Sequence, residues 1–167
     1  MLTNRAVPFS RQDTRLRLRI SLLLLCFVTM PALATENVDF RALLGKVVYL
    51  DFWASWCSPC VTSFPWMQQM HKTYADQGLV IVAVNLDQEP ELAHRFLESF
   101  EVNFRIAYLN DGTLAEYFGV ETMPTSFLID RQGNVRFRHA GFHEHKQPEY
   151  EAHIRQLLAQ PVAESEL

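Results

Sequence analysis

Residues 47–60, VVYLDFWASWCSPC, join a β-rich apolar run to two cysteines that are separated by two residues. The run over residues 47–53, rich in Val, Leu and aromatic residues, is typical of a strand buried on both faces. Residues 58–77 then predict a helix that ends near Gly78, because apolar side chains recur at helical spacing at Phe64, Met67, Met70 and Tyr74. Residues 79–84, LVIVAV, predict a second buried strand. Together they predict a βαβ unit with parallel strands, in which the cysteines lie where the first strand meets the helix.

The remainder of the chain predicts a mixed sheet. Residues 135–138 alternate apolar with charged side chains, which indicates a strand with one solvated face in an antiparallel hairpin with residues 125–129. No linker rich in Gly, Pro or Ser divides residues 35–167, so we predict a single domain there. The other predicted elements are a helix over 89–100, a strand over 106–108, a helix over 113–118, a turn over 130–134 and a last helix over 148–159.

Composition and charge exclude several classes of protein. The chain has 167 residues, of which 49% are apolar and 20% are charged, so it is neither disordered nor collagen-like. Residues 1–34 contain five Arg and one Asp, which leaves 10 Lys and Arg against 18 Asp and Glu in the rest of the chain. An acidic body lacks the clustered positive charge that nucleic-acid phosphates require. We therefore expect no nucleic-acid partner.

The basic N-terminal segment resembles a secretory signal peptide. Its arginines precede an apolar run over residues 20–30, and Ala32-Leu33-Ala34 matches a signal-peptidase site. The run is shorter than the roughly 20 residues that span a membrane. We predict a signal peptide over residues 1–34 that is cleaved after Ala34, and a periplasmic protein without a membrane span; an uncleaved anchor is the alternative. Cleavage removes Cys26 and leaves Cys57 and Cys60.

The spacing of the two remaining cysteines favours redox chemistry over a structural role. A disulfide that closes so short a loop restricts the unfolded chain little, so it contributes little stability. Residues i and i+3 of a helical turn lie close enough to form one. The helix N-terminus stabilises a thiolate at Cys57, whereas Cys60 lies one turn inside the helix and is expected to be less exposed. Cys57 is therefore the predicted nucleophile, and Cys60 is predicted to resolve the mixed disulfide.

Metal binding is the alternative chemistry for this cysteine pair. A structural zinc site needs about four ligands, and the chain after residue 34 has no second cysteine pair. Soft thiolates also suit Cu(I), so a copper-handling module remains a hypothesis. The histidines that could complete such a site are His139, His143 and His145, although a solvated loop is the simpler interpretation of them. We also expect no ligand role for His71, His94 and His153, which lie on predicted helices among polar neighbours.

Residues 51–60, DFWASWCSPC, resemble the active-site segment of the thioredoxin superfamily, and more closely its exported TlpA-like branch. Pro65 matches the family's helix proline, and Met123-Pro124 matches the cis-proline loop that faces the disulfide. Residues 130–133 and Gly141 match the last hairpin and the glycine that ends it. The resemblance covers residues 40–159. It implies an α/β, thioredoxin-like three-layer fold with a central mixed sheet flanked by helices.

The resemblance also implies roles for individual residues. Asp51 lies among apolar residues, where burial raises a carboxyl pKa, and it matches the acid that assists proton transfer to and from Cys60; a carboxylate turned to a polar edge is the alternative. The main chain of Met123, presented by cis Pro124, is expected to pair with a substrate segment beside Cys57. Trp53, Trp56 and Phe52 are all expected to shield the sulfurs. Trp56 is expected on the active-site surface, and Phe52 is expected in the core.

The implied activity is protein thiol:disulfide exchange, with the Cys57–Cys60 disulfide as the redox group and no separate cofactor. Protein thiols and disulfides would be the partners, and a membrane protein of the DsbD type would supply electrons. The Ser-Pro dipeptide between the cysteines lacks the histidine of strongly oxidising DsbA-like proteins, which favours a reductase over an oxidant. Two residues depart from the family: Ser63 replaces the glutamate of haem-maturation reductases, and Ala83 replaces the lysine that partners the buried acid in typical thioredoxins.

Overall fold

The computed structural model of this chain describes residues 38–161. The predicted signal peptide, its cleavage site at Ala34 and Cys26 lie outside these residues. The helices and strands in chain order are β1 (Val47–Trp53), α1 (Ser58–Tyr74), β2 (Leu79–Asn85), α2 (Pro90–Leu97), β3 (Arg105–Tyr108), α3 (Thr113–Tyr117), β4 (Thr125–Ile129), β5 (Val135–Ala140) and α4 (Gln147–Leu158).

The five strands form one mixed sheet in the order β3-β2-β1-β4-β5. β1 and β2 are parallel neighbours, as the βαβ pattern predicts, and β3 extends the parallel part. β4 runs antiparallel to β1, and β5 forms the predicted antiparallel hairpin with β4. Since β1 lies in the middle of the sheet, all seven of its residues are buried. The cysteine pair follows directly from the end of this central strand.

Alternate residues of β1 face two different cores. Tyr49 and Trp53 pack under α1, α2 and α4 with both cysteines, on what we call the disulfide side. Val48, Leu50 and Phe52 face the opposite, groove side with the apolar residues of α3 and of the segment that precedes β1. Burying one large apolar side chain stabilises a fold by about 1.5–3 kcal/mol, so both sides hold the helices to the sheet. The predicted three-layer α/β fold is confirmed.

Several predicted boundaries change. α2 ends at Leu97, short of the predicted residue 100, because the amides of Ser99 and Phe100 bond carbonyls only three residues back and tighten the chain. α1 ends at Tyr74, and a 3-10 turn over Ala75–Gln77 completes the connection to Gly78, whose φ of +99° ends it.

The predicted alternation in β5 is wrong at its first residue. A register shift between Leu128 and Ile129 pairs Leu128 with Phe137 but Ile129 with Val135. Arg136 is therefore an extra residue in the ladder, so Val135 and Phe137 do not share a face. Val135 borders the groove side and is 49% exposed, whereas Phe137 packs on the disulfide side. A period of two cannot reveal such a bulge.

Within residues 38–161 no helix is both long enough and apolar enough to cross a membrane.

Candidate active site

Cys57 and Cys60 form a disulfide where β1 passes into α1, as predicted. Their Cα atoms are 5.4 Å apart. Cys57 is the N-cap residue of α1, and Pro59 lies in its first turn, where a missing N–H is tolerated. Cys57 is 3% exposed and Cys60 is fully buried. The helix N-terminus at Cys57 favours a negative charge, so it stabilises a thiolate there once the disulfide is reduced.

Aromatic side chains surround the disulfide unequally. Trp56 is 69% exposed next to Cys57, in agreement with its predicted place at the surface. Trp53 is fully buried in the core cluster that contains both cysteines, and its ring packs on Phe64 at 4.8 Å and on Phe96 at 4.9 Å. Phe52 belongs to the core on the groove side, so it does not shield the sulfurs. Trp56 is thus the aromatic residue of this segment that a partner protein can reach.

A buried carboxylate holds the loop that precedes Cys57. Asp87, which is 2% exposed, accepts hydrogen bonds from the Ser55 amide at 2.9 Å and from Ser55 Oγ at 3.0 Å. Asn85 Nδ2 donates to the same carboxylate at 2.8 Å. Sequence reasoning missed this contact, although a polar Asn-Leu-Asp segment at the end of a buried strand is a signal for it. Asp87 therefore fixes the backbone two residues before the predicted nucleophile.

Asp51 lies in the interior, as the run of apolar neighbours predicts. It is 2% exposed, and its Oδ2 is buried without a hydrogen-bond partner among the described residues. Burial raises the pKa of this carboxyl well above its ordinary value, because a charge is poorly solvated there. Ala83 stands directly opposite on β2 and offers no charge to offset the effect. The alternative, a carboxylate turned to a polar edge, is wrong.

Two positions of α1 complete the environment of Cys60. Ser63 is 1% exposed, and its hydroxyl donates to the Cys60 carbonyl at 3.1 Å. Ser63, which replaces the glutamate of the haem-maturation reductases, therefore forms a hydrogen bond with the main chain of the helix. Pro65 lies inside α1 without ending it, at the position expected from the resemblance.

The Met123-Pro124 peptide bond is cis, as the resemblance predicts. Met123 is partly buried and packs against the core cluster that contains both cysteines. The Pro124 carbonyl accepts a hydrogen bond from the Gly141 amide at 2.8 Å. This contact anchors the loop to the end of β5, where Gly141 takes a φ of +76°.

The histidines do not all have the solvent exposure that the sequence predicts. His139 is not in a solvated loop: it lies in β5, is 8% exposed, and its Nε2 is 3.0 Å from Nδ1 of the partly buried His153. Burial and the nearby His153 lower the pKa of His139 to about 4. His143 and His145 are exposed, with ring centroids 5.7 Å apart. In residues 38–161 no group of three or more His, Cys, Asp or Glu side chains is arranged to hold a metal ion.

Comparison with known proteins agrees with this geometry. The profile of the Redoxin family matches residues 25–154. The thiol-disulfide oxidoreductase ResA of Bacillus subtilis (strain 168) is 37% identical over 100 residues, which are 60% of this chain and 56% of ResA. The match therefore spans little more than half the length of that curated relative.

Solved structures give longer matches. A Chlorobium tepidum protein described as the thiol:disulfide interchange protein DsbE is 45% identical, with a TM-score of 0.71 over 73% of this chain and 86% of that one. The exposed lipoprotein thioredoxin of Streptococcus pneumoniae strain TIGR4 is 29% identical, with a TM-score of 0.62 over 70% of this chain and 89% of that one. Since the Redoxin profile covers well over half of the chain, this protein belongs to the Redoxin family and resembles its thioredoxin-like thiol:disulfide oxidoreductases.

Proposed function

We propose that this protein is an exported thiol:disulfide oxidoreductase that reduces disulfide bonds in other proteins. One observation carries the proposal: a disulfide at the first turn of α1, with Trp56 exposed next to Cys57 and with Cys60 fully buried behind it. The names of the similar proteins, ResA and DsbE among them, describe thiol-disulfide chemistry and support this activity.

The reaction transfers two electrons from the reduced cysteine pair to a client disulfide. The Cys57 thiolate attacks one client sulfur, which forms a mixed disulfide and releases the other client sulfur as a thiolate. Cys60 then loses its proton, and its thiolate attacks the Cys57 sulfur. The Cys57–Cys60 disulfide forms, and the second client thiolate leaves. A membrane dithiol donor of the DsbD type returns the two electrons and restores the pair.

Asp51 is the proposed proton acceptor for Cys60 in this cycle and its proton donor in the reverse step. Its burial raises the pKa of the carboxyl, which brings it closer to the pKa of a thiol and makes transfer in both directions feasible. Ala83 stands opposite Asp51, where typical thioredoxins have a lysine. The pKa of Asp51 is therefore set by burial and not by a neighbouring ammonium group.

Client proteins are proposed to dock around Trp56 and the Met123-Pro124 loop. Trp56 and Val61, which are 69% and 51% exposed, provide a small apolar surface next to Cys57. The Met123 side chain packs against the cluster that contains the cysteines, and its main chain, next to the cis bond to Pro124, is proposed to pair with an extended client segment.

The periplasm is the proposed location, after cleavage of residues 1–34 at Ala34. The arginine-rich start, the short apolar run and the Ala-Leu-Ala site support export. The similarity to a protein described as an exposed lipoprotein thioredoxin supports an extracytoplasmic location. Mass spectrometry of the protein from a periplasmic extract should find Thr35 as its first residue, whereas retention of the apolar run would indicate an anchor.

Cysteine substitutions test the mechanism. Cys57→Ser should abolish disulfide exchange, because it removes the nucleophile. Cys60→Ser should accumulate mixed disulfides that a reductant releases on a non-reducing gel, because nothing resolves them. Ser58→Ala, an exposed position between the cysteines, is the matched control and should do neither. Normal turnover by Cys60→Ser would disprove the two-cysteine mechanism.

The reduction potential of the cysteine pair tests the direction. Thioredoxin has a potential near about −270 mV and DsbA near about −120 mV. We expect a value near the lower figure, measured by equilibrating the protein against a defined thiol buffer. A value near the upper figure would instead make the protein an oxidant that inserts disulfides.

A further inference from the structure

Six polar side chains that the sequence scatters over a hundred residues meet between the sheet and α4 on the disulfide side. Four of them are buried residues of β1, β4 and β5, and two belong to α4. We call them the polar cluster: Tyr49, Asp51, Ser126, His139, Tyr150 and His153.

The strands place part of this cluster in one row. Asp51 of β1 is the register partner of Ser126 of β4, and Ser126 is the register partner of His139 of β5. Side chains of such partners lie on the same face, with Cβ atoms about 4.5–5.5 Å apart. The row therefore runs from the middle of the sheet to its edge strand.

Hydrogen bonds and ring contacts link the row to its neighbours. Ser126 Oγ donates to Tyr49 Oη at 2.7 Å. The Tyr150 ring lies 4.5 Å from the ring of His139, and His139 Nε2 is 3.0 Å from His153 Nδ1. Tyr49 lies two residues before Asp51 in β1, so their side chains are neighbours on the same face of the sheet. The cluster thus extends from Asp51 in the middle of the sheet to α4.

Exposure rises along the row. Asp51 is 2% exposed, Ser126 is 4% exposed and His139 is 8% exposed, and His153 at the end is only partly buried. Asp51 Oδ2 and His139 Nδ1 are buried without hydrogen-bond partners among residues 38–161. A buried polar atom without a hydrogen-bond partner lowers the stability of the fold, so apolar side chains would pack this space more stably. A role in packing alone does not explain the cluster.

We propose that the polar cluster carries protons between Asp51 and solvent, and that His153 exchanges them with water. The proposal rests on the proposed function, in which Asp51 receives a proton from Cys60. The protonated carboxyl must then lose that proton before the next cycle. Water molecules beside Ser126 carry the proton from Asp51 Oδ2 to His139 Nδ1, the two cluster atoms without a partner among the described residues. His139 then passes the proton on its Nε2 to His153 Nδ1, and the His153 imidazolium releases a proton to water, which leaves Asp51 as a carboxylate.

His139 suits an intermediate position in this path. A neutral imidazole has one donor and one acceptor nitrogen, so it can take a proton at one nitrogen while it gives up the proton on the other. Burial holds the pKa of His139 at about 4, so the ring is neutral near pH 7. The titratable and charged groups around it are Tyr49 and Asp51 of β1, Lys146, and Glu149, Tyr150 and His153 at α4.

Chemical rescue of His153→Ala tests the proposal. The His153 ring stacks on Phe137 with centroids 3.9 Å apart, so its removal leaves a flat space that imidazole can occupy. We expect the steady-state rate at which the protein catalyses the reduction of insulin disulfides by dithiothreitol at pH 7 to fall about tenfold, because every cycle requires Asp51 to lose its proton again. Added imidazole should restore the rate in a concentration-dependent manner, and the effect of D2O on the rate should increase in the variant.

Three comparisons separate proton transfer from a structural effect. His145→Ala removes an exposed histidine outside the cluster and should leave the rate unchanged. Ser126→Ala interrupts the row in its middle and should slow exchange without rescue by imidazole. The reduction potential should stay the same in every variant, because a proton path changes rates and not the equilibrium. If His153→Ala does not fold, His153→Gln takes its place, with a slow rate and the same D2O effect as the readout.

The outcomes distinguish this proposal from the proposed function. A wild-type protein that exchanges disulfides, with His153→Ala and Ser126→Ala equally fast, would overturn the proton path alone. A slow His153→Ala variant with no rescue and no larger D2O effect would also overturn it. A wild-type protein without exchange activity would overturn the proposed function and this proposal together.

Discussion

The two sides of the central sheet contrast in what they bury, although the same strands build both. The core of the groove side consists mainly of apolar side chains from β1, β2 and β4, such as Leu50, Phe52 and Phe127, with Thr125 as a buried polar residue on the same face. The core of the disulfide side combines aromatic residues with the buried Asp51, Ser126 and His139. Neighbouring residues of β1 thus meet opposite environments, because successive side chains of a strand point to opposite faces.

The two faces of a single strand therefore contribute differently, one to the stability of the fold and the other to the chemistry of the site. Apolar burial on the groove side stabilises the sheet, whereas polar burial on the disulfide side lowers stability and shifts the pKa values of Asp51 and His139. Substitutions on the groove side should therefore change the free energy of unfolding without changing redox properties. Substitutions in the polar cluster should change how stability and exchange depend on pH.

The largest expected effect is that of Phe52→Ala on the groove side. Phe52 is fully buried, and its ring centroid lies 5.7 Å from that of Phe118 and 6.0 Å from that of Phe127. We expect a loss of about 3–5 kcal/mol in the free energy of unfolding of the oxidised protein, measured in urea. Val135→Ala, at a half-exposed position on the same side, should lose far less. A shift of the reduction potential by more than about 30 mV in Phe52→Ala would break the contrast.

Asp51→Asn should produce the next largest effect, and it should depend on pH. The folded protein keeps the proton of Asp51 above pH 4, where the unfolded chain releases it, so unfolding releases a proton and stability falls as pH rises. The uncharged variant lacks this loss, so we expect its stability relative to that of the wild type to increase steadily from pH 5 to pH 8. Urea denaturation of the oxidised proteins from pH 5 to 8 measures the difference.

The control for this experiment is a solvent-exposed carboxylate side chain. Asp76→Asn, at an exposed position, should follow the wild-type curve in parallel. If Asp51→Asn also runs parallel to the wild type, the Asp51 carboxyl has an ordinary pKa, and its assignment as the proton acceptor loses its physical basis.

A smaller effect of opposite sign is expected for His139→Phe. Folded His139 stays neutral down to about pH 4, whereas the unfolded chain binds a proton below about pH 6.5, so stability falls as pH decreases. Between pH 7.5 and 5 the wild type should lose about 1–2 kcal/mol through this residue, and the variant should not. His145→Phe is the exposed control. Equal acid sensitivity in His139→Phe and the wild type would show that His139 is solvated.

Local patterns in the sequence predict the elements that carry the chemistry. β1 and β4 match their predicted ranges, and α1 begins at Ser58, because continuous apolar runs and a helical repeat are properties of neighbouring residues. The burial of Asp51 follows from its apolar neighbours on both sides in β1. Pro65 inside α1 and the cis bond at Met123-Pro124 both agree with the family resemblance, which rests on short motifs.

Contacts between distant segments are not predictable in this way. The extra residue Arg136 in β5 reverses the face of Val135, and the alternating pattern gives no sign of it. The sequence favours a solvated loop for His139. Its burial is not predictable from neighbouring residues, because it depends on the length of β5 and on the packing of α4 above that strand. The contact between Asp87 and Ser55 joins residues 32 positions apart, so the polar segment that contains Asp87 indicates a buried polar group but not its partner.

The sequence by itself therefore determined the strand, the cysteine pair and the helix at the centre of this protein, since each is specified by residues next to one another. The tertiary structure alone decided which polar groups surround Asp51. Ser126 lies beside Asp51 because β4 pairs with β1 in this register, and His139 lies beside Ser126 because β5 pairs with β4; both registers are set by long-range hydrogen bonds and, in β5, by the bulge at Arg136. A shift of one residue would turn these side chains to the opposite face of the sheet.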